Sequence, residues 1–300
     1  MRIGVVGAGS VGSTAAFAFV MRGLASRLTL VDSDRDRAED HALDVARATA
    51  FAHPARIGAG EVADLEGSDL VVLAAGAGAS RDRSRLELAA HNAELFRELV
   101  PRVADAAPQA LLLVASEPVD VLTQVTFETS GLPEARVIGS GTALDSARLR
   151  STIARRTGVA TDHVHGYVLG EHGDEPVVAW SGVRVAGRPP DEVMLAAGRP
   201  WGPEQRAEIE RELRDPAAQR RGAVRFGLAA ALTRIVAAIA EDEHAVLTVS
   251  VSDGSVAYSL PRVLGRTGLV RTLDPHLDAA ERAALTASGE VIRDVLDRLR

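Results

Sequence analysis

The sequence predicts an α/β fold, a doubly wound parallel sheet followed by an α+β domain. Three observations predict it. Short apolar runs alternate with helical patterns over the first 140 residues. A glycine-rich turn, Gly7-Ala8-Gly9-Ser10-Val11-Gly12, joins the first run to the first helix. After residue 140 the runs become short and irregular, with Gly and Pro between them.

The elements follow in order. Residues 2–6 are a buried strand by length and flanks, and Val11 to Met21 is a helix. Leu28 to Val31 is a strand and Arg35 to Ala48 a helix. Asp69 to Ala74 and Ala110 to Ala115 are strands with a long helix, Leu86 to Ala106, between them; Val137-Ile138 is a further short strand. Strands that are apolar throughout fit a sheet covered on both faces. Beyond them, Leu144 to Arg156 is helical, and His163 to Leu169, Val177 to Trp180 and Val183 to Val185 are short strands. Arg206 to Ala240 is a helical stretch broken near Asp215-Pro216, because proline cannot continue a helix interior. Val246 to Val251 and Ser255 to Leu260 form a hairpin around Asp253-Gly254, and Asp278 to Leu299 closes the chain as a helix. The expected division is 1–141 and 142–300.

Composition narrows the function classes. The chain has 300 residues, 46% hydrophobic and 25% charged, an ordinary globular composition that suits two domains. Its net charge of −7 disfavours nucleic acid and anionic membranes as partners. It has no cysteine, which excludes disulfides, thiolate metal sites and a cysteine nucleophile. The eight histidines are scattered, so no metal site is expected. The apolar run Ile3 to Val20 is interrupted by four glycines, and no stretch has the roughly 20 apolar residues of a membrane span, so a cytoplasmic protein is expected.

The glycine turn carries the first chemistry. Gly7 allows the tight turn, Gly9 lets backbone approach a pyrophosphate, and Gly12 permits close helix–strand packing. Ser10 and Val11 open the helix, whose N-terminus faces the anion. Asp32 ends the second strand, 20 residues past Gly12. An acid there accepts hydrogen bonds from a ribose and repels a 2′-phosphate, so NAD is expected over NADP.

The second signal is Gly170-Glu171-His172-Gly173-Asp174. Imidazole titrates near neutrality, which suits a group that gives and takes a proton each cycle. Upstream, Asp145 and Arg148 are three apart on one helix face. A carboxylate holds a histidine in one tautomer, and an arginine fork grips a carboxylate in two bonds. A polar loop from Gly76 to Arg85 follows the strand at 69–74, where substrate lids of doubly wound proteins sit.

Together with Arg85-Leu86-Glu87-Leu88, Pro118-Val119-Asp120-Val121, Val137 to Thr142 and Leu144 to Arg148, these motifs resemble the L-lactate/malate dehydrogenase family, nearest its bacterial lactate branch, over essentially the whole chain. The resemblance implies a Rossmann domain that binds NAD, then a catalytic domain, in a homodimer or homotetramer. It implies that His172 donates and accepts the proton, Asp145 orients it, Arg148 binds the substrate carboxylate and Arg85 polarises the carbonyl of a 2-oxo acid, with Gly76 lining the cofactor site. Arg150 and His165 match positions where bacterial members bind fructose 1,6-bisphosphate.

The chain departs from the family pattern inside the pocket. The loop's customary Pro-Gly region reads Arg81, Asp82 and Arg83. Six residues before Arg85, where lactate enzymes have Gln and malate enzymes Arg, stands Ala79. The Asn before Pro-Val-Asp is Glu117, and the Thr-Tyr pair near the substrate is Val224-Arg225. The expectation is a working 2-hydroxy acid dehydrogenase with a reshaped pocket. The alternatives are an ordinary L-lactate dehydrogenase, a non-catalytic NADH-binding paralogue, or reduction of an imine or unusual ketone.

Overall fold

The computed structural model describes residues 1–77, 84–214 and 224–300. Six parallel strands lie in the order β3-β2-β1-β4-β5-β6. They are β1 (Arg2–Val6), β2 (Arg27–Val31), β3 (Arg56–Gly60), β4 (Leu70–Leu73), β5 (Leu111–Val114) and β6 (Val137–Gly139). The strand order reverses between β1 and β4, so a crevice opens at the carboxyl ends of both. Strand β3, with three glycine or alanine positions in Arg-Ile-Gly-Ala-Gly, carries too weak an apolar signal to be found from sequence.

The apolar runs are read by both faces of the sheet. Val5, Leu70, Val72, Leu111 and Leu113 face one core, with Phe19 of α1 (Ser10–Met21), Val45 of α2 (Arg35–Ala48) and Ile235 of α8 (Val224–Ala240). Val6, Val71, Leu73, Leu112 and Val114 face the other, with Phe96 of α3 (Arg85–Ala106), Leu122 of α4 (Val119–Ser130) and Ile292 of α9 (Ala279–Arg298). Side chains alternate across a strand, so a strand covered on both faces must be apolar at every position.

The sheet does not stop at the expected boundary. β11 (Ala245–Ser252) joins β6 antiparallel through Ser250 and Gly139. It continues through β12 (Ala257–Gly265), β8 (Val168–Gly170) and β9 (Pro176–Val178), while β13 (Gly268–Thr272) pairs with β12. A separate pair, β7 (Val164–His165) and β10 (Arg184–Val185), completes the strands. The second half also contains α5 (Ala143–Thr157), α6 (Pro190–Ala196) and α7 (Pro203–Arg214). Helix α8 packs into the core shared with α1 and α2, so the late chain returns to cover the first sheet.

The glycine turn is set by a close approach. Gly7 takes a φ of +101°, and a Cβ on Gly12 would stand 1.9 Å from the Gly7 carbonyl oxygen. Nothing flexible can yield there, because the obstacle is backbone. Gly12→Ala is expected to destabilise the fold by about 1–3 kcal/mol, the usual range for overpacking. Denaturant unfolding measures it; a variant as stable as the parent would refute this account of the turn.

Candidate active site

Helix α1 begins at Ser10 and Val11, behind Gly9, with no acidic residue in its first turn. Its positive end therefore has no anion from within the helix itself. A Cβ on Gly9 would meet nothing within 4 Å, so the turn borders open space. Asp32, at the end of β2, is almost fully buried: its carboxylate accepts the Ala8 amide at 2.7 Å and the Asp34 amide at 3.0 Å. Arg37 approaches it at 3.7 Å. Asp32 thus shapes the glycine turn as well as presenting an anion beside it. An open glycine turn, an uncovered helix end and an acid at the next strand end suit a dinucleotide.

Buried Asn92 on α3 ties together two neighbouring loops. Its Oδ1 accepts the Ala77 amide at 2.9 Å, and its Nδ2 donates to the Ala77 and Glu117 carbonyls at 3.0 and 2.7 Å. Gly76 lies against this amide, with Asn92 Oδ1 2.8 Å from where a Cβ would project. Thus the segment after β4 and the segment after β5 are braced by one side chain. Sequence reasoning missed Asn92, because a single polar residue in an amphipathic helix carries no motif.

His172 is where the chain's two halves meet. Its Nδ1 is 2.5 Å from Asp145 Oδ2, on the first turns of α5, and its Nε2 is 3.4 Å from Glu117 Oε1, after β5. Its backbone amide donates to Asp120 Oδ2 at 2.7 Å, on α4. Burial alone would depress the imidazole's pKa, but Asp145 and Glu117 overcome it and raise His172 well above the ordinary histidine value. Burial likewise opposes ionisation of Asp145 and Glu117, yet the facing imidazolium holds both below their usual carboxylate values, with Arg148 helping Asp145 and Arg85 helping Glu117. Asp120 differs: burial, opposed by Ser250 and His172, pushes it up to about 6.

Arg148 stands one helical turn from Asp145, its Nη1 3.6 Å from Asp145 Oδ1. They are neighbours on one helix face, as their spacing predicts. Arg148 remains about a third exposed and, among the described residues, has besides this a long contact of 3.4 Å to the Glu212 carbonyl.

Arg85 opens α3, behind a capping box of Ser84 and Glu87. Its guanidinium is 2.5 Å from Glu171 and 2.6 Å from Asp174, the residues flanking the His172-Gly173 pair. It lies so close to Gly173 that a Cβ there would be 1.9 Å from Nη2. The resemblance implies Arg85 at a substrate carbonyl; here it reaches the same cluster with both terminal nitrogens on carboxylates. Glu171 and Asp174 sat inside the recognised motif, yet nothing in their spacing reveals a partner far back in the chain.

Ala79 and Arg81 to Arg83 fall outside the described residues, as does the side chain of Val224. Arg150 follows Arg148 by two positions and so turns from its face; it is half-buried beside Tyr167 and Arg234, and His165 is exposed on β7. Glu210 and Arg214 of α7 border the same small cavity as Asp145 and His172. Among the described residues no group of three His, Cys, Asp or Glu is placed to hold a metal ion, and no helix is long and apolar enough to cross a membrane.

The two-carboxylate clamp has a measurable sign. Replacing Glu117 by Gln removes one of the anions that favour imidazolium, so the His172 titration midpoint should fall, followed by NMR of the imidazole protons. Asp145→Asn should lower it further, because that bond is shorter. A midpoint unchanged in Glu117→Gln would show that the 3.4 Å contact carries no electrostatic weight.

Comparison with known proteins shows the family. Residues 1–139 match the NAD-binding domain of lactate/malate dehydrogenase, and residues 142–299 match that family's alpha/beta C-terminal domain. An L-lactate dehydrogenase of Deinococcus radiodurans is 47% identical, covering 100% of this chain and 99% of its own. One from Thermus aquaticus is 43% identical over 100% and 99%. The solved minor L-lactate dehydrogenase of Enterococcus mundtii superimposes with a TM-score of 0.93 at 33% identity, covering 100% of this chain and 98% of its own. The chain is a member of the lactate/malate dehydrogenase family, and so an NAD-dependent oxidoreductase acting on a CH–OH group.

Proposed function

We propose that the protein interconverts a 2-oxo acid and the corresponding 2-hydroxy acid, with a pocket altered from that of a plain lactate dehydrogenase. The carrying observation is the 2.5 Å bond between Asp145 and His172, beside the half-open guanidinium of Arg148. When bound, the nicotinamide supplies or takes up the hydride. Arg148 receives the substrate carboxylate in a two-pronged pair. His172 delivers the Nε2 proton to the carbonyl oxygen, or removes it from the hydroxyl in the reverse direction. Asp145 keeps Nδ1 bonded and stabilises the imidazolium between turnovers. Arg85 meets charge developing on the oxygen once its guanidinium leaves Glu171 and Asp174.

Residues 1–141 serve as the cofactor half and 142–300 as the catalytic half in this reading. Ala79, Glu117 and Val224 are its altered substrate contacts. Exposed Phe17 and Met21 on α1, Leu43 on α2 and Phe226 on α8 support burial against a second copy, in a homodimer or homotetramer. Arg150 and His165 are read as cations for a phosphate group of fructose 1,6-bisphosphate at such an interface; unchanged saturation curves and oligomer size on adding it would remove that part. The protein is read as cytoplasmic. A non-catalytic NADH-binding protein is the second reading, favoured only by the commitment of Arg85 to two carboxylates.

Absorbance at 340 nm with NADH and a panel of 2-oxo acids tests the reading. Turnover is expected, and His172→Asn should lower it by about 10²–10⁴-fold while NADH still binds. Bound NADH with no turnover on any member of the panel would favour the second reading. In a separate measurement, Arg148→Gln should raise KM far more than it lowers kcat, since it removes a bond to a carboxylate present throughout the reaction.

A further inference from the structure

We propose that Glu117 determines substrate class, favouring 2-oxo acids that carry a cationic nitrogen near the carbonyl over neutral ones. This deepens the proposed function and rests on it.

The argument begins with what Glu117 touches. Oε1 faces His172 Nε2 at 3.4 Å, and Oε2 accepts the Val119 amide at 3.3 Å. The side chain is 42% exposed. Its own carbonyl is held by Asn92, so the backbone cannot readily carry it away. A reacting carbonyl oxygen must take the Nε2 hydrogen bond. Glu117 then loses its direct charged partner while remaining beside the reaction centre.

An ionised carboxylate cannot donate a hydrogen bond to the carbonyl oxygen, and it repels the alkoxide that forms there. It therefore needs a replacement cation. Among the described residues Arg85 is the other cation acting on it, but Glu171 and Asp174 hold it at 2.5 and 2.6 Å, and once released it serves the carbonyl oxygen. Arg148 is opposed by Asp145 at 3.6 Å and faces the substrate carboxylate. Among the described residues around the imidazole, then, Arg85, Arg148 and protonated His172 stand against Asp145, Glu117, Glu171 and Asp174, with buried Asp120 behind them. A simple 2-oxo acid adds one more anion to this set. A 2-oxo acid with an ammonium group adds none in total, and its nitrogen supplies the partner that Glu117 gives up. The reaction is unchanged: hydride adds to the carbonyl carbon, the carbonyl π bond breaks, and the oxygen takes the proton from His172. The substrate ammonium keeps its protons.

Two isosteres isolate the charge. In 4-ammonio-2-oxobutanoate an ammonium replaces the terminal methyl of 2-oxopentanoate. With NADH and wild-type enzyme, kcat/KM is expected to favour the ammonium compound by about ten-fold or more, the scale of one partly screened charge pair. Glu117→Gln should cancel that preference, and Glu117→Asn should do the same while raising pyruvate turnover. Equal use of both isosteres by the wild type, or a ratio unmoved by both substitutions, overturns the proposal. Reduction of pyruvate but of neither isostere overturns it too, while leaving the dehydrogenase reading intact. If wild type and both variants bind NADH but reduce none of the three compounds, the dehydrogenase reading itself fails and takes this one with it.

Discussion

The short bond between Asp145 and His172 is the constraint on which the site depends. It links the start of α5 to the segment leaving β8, and through the His172 amide it reaches Asp120 on α4. One imidazole is therefore fixed by three separate pieces of chain. A proton-transfer group needs this restraint, since a small error in position or tautomer takes the proton out of line. Packing around the bond is correspondingly dense: Ser146, next to Asp145, bonds the Val168 amide at 2.9 Å and the Thr248 hydroxyl at 2.8 Å. Those contacts carry the placement of α5 into β8 and β11.

The continuous sheet explains how the two halves keep their alignment. β6 passes directly to β11, and β12 to β8, so the strand ending beside His172 belongs to the same sheet as the strand opening the glycine turn. The carboxyl ends of β1, β4 and β5 supply the cofactor turn, the Gly76 segment and Glu117. The start of α5 and the end of β8 place Asp145 and His172 on the other side. A cleft built on joined strands leaves little freedom between them, which suits a reaction in which a hydride donor and a proton donor must meet one carbonyl group.

Among the described residues, anions outnumber cations around His172. Glu117 adds an anion to a histidine already bound to one, and Arg85 is drawn into a pair of carboxylates flanking that histidine. The result is an imidazole strongly disposed to hold its proton. A protonated His172 is the form that the proposed reduction of a carbonyl would use.

Much of this was legible in the sequence because it is local. A turn that tolerates only glycine, runs of strand buried on both faces, and an acid and an arginine one helical turn apart are all patterns over a few residues. The turn from Gly7 to Gly12, the position of Asp32 beside it, and the placing of Asp145 and Arg148 on one helix face follow from such patterns. That Glu117 departs from the family could also be seen. The sequence did not show where its charge would go, that Asn92 would brace two loops, that Arg85 would lie between Glu171 and Asp174, or that the sheet would run unbroken between the halves. Each of those joins residues far apart along the chain, and periodicity and spacing record only neighbours. Tertiary structure decided them because a buried charge or amide takes whichever partner folding brings within hydrogen-bond reach.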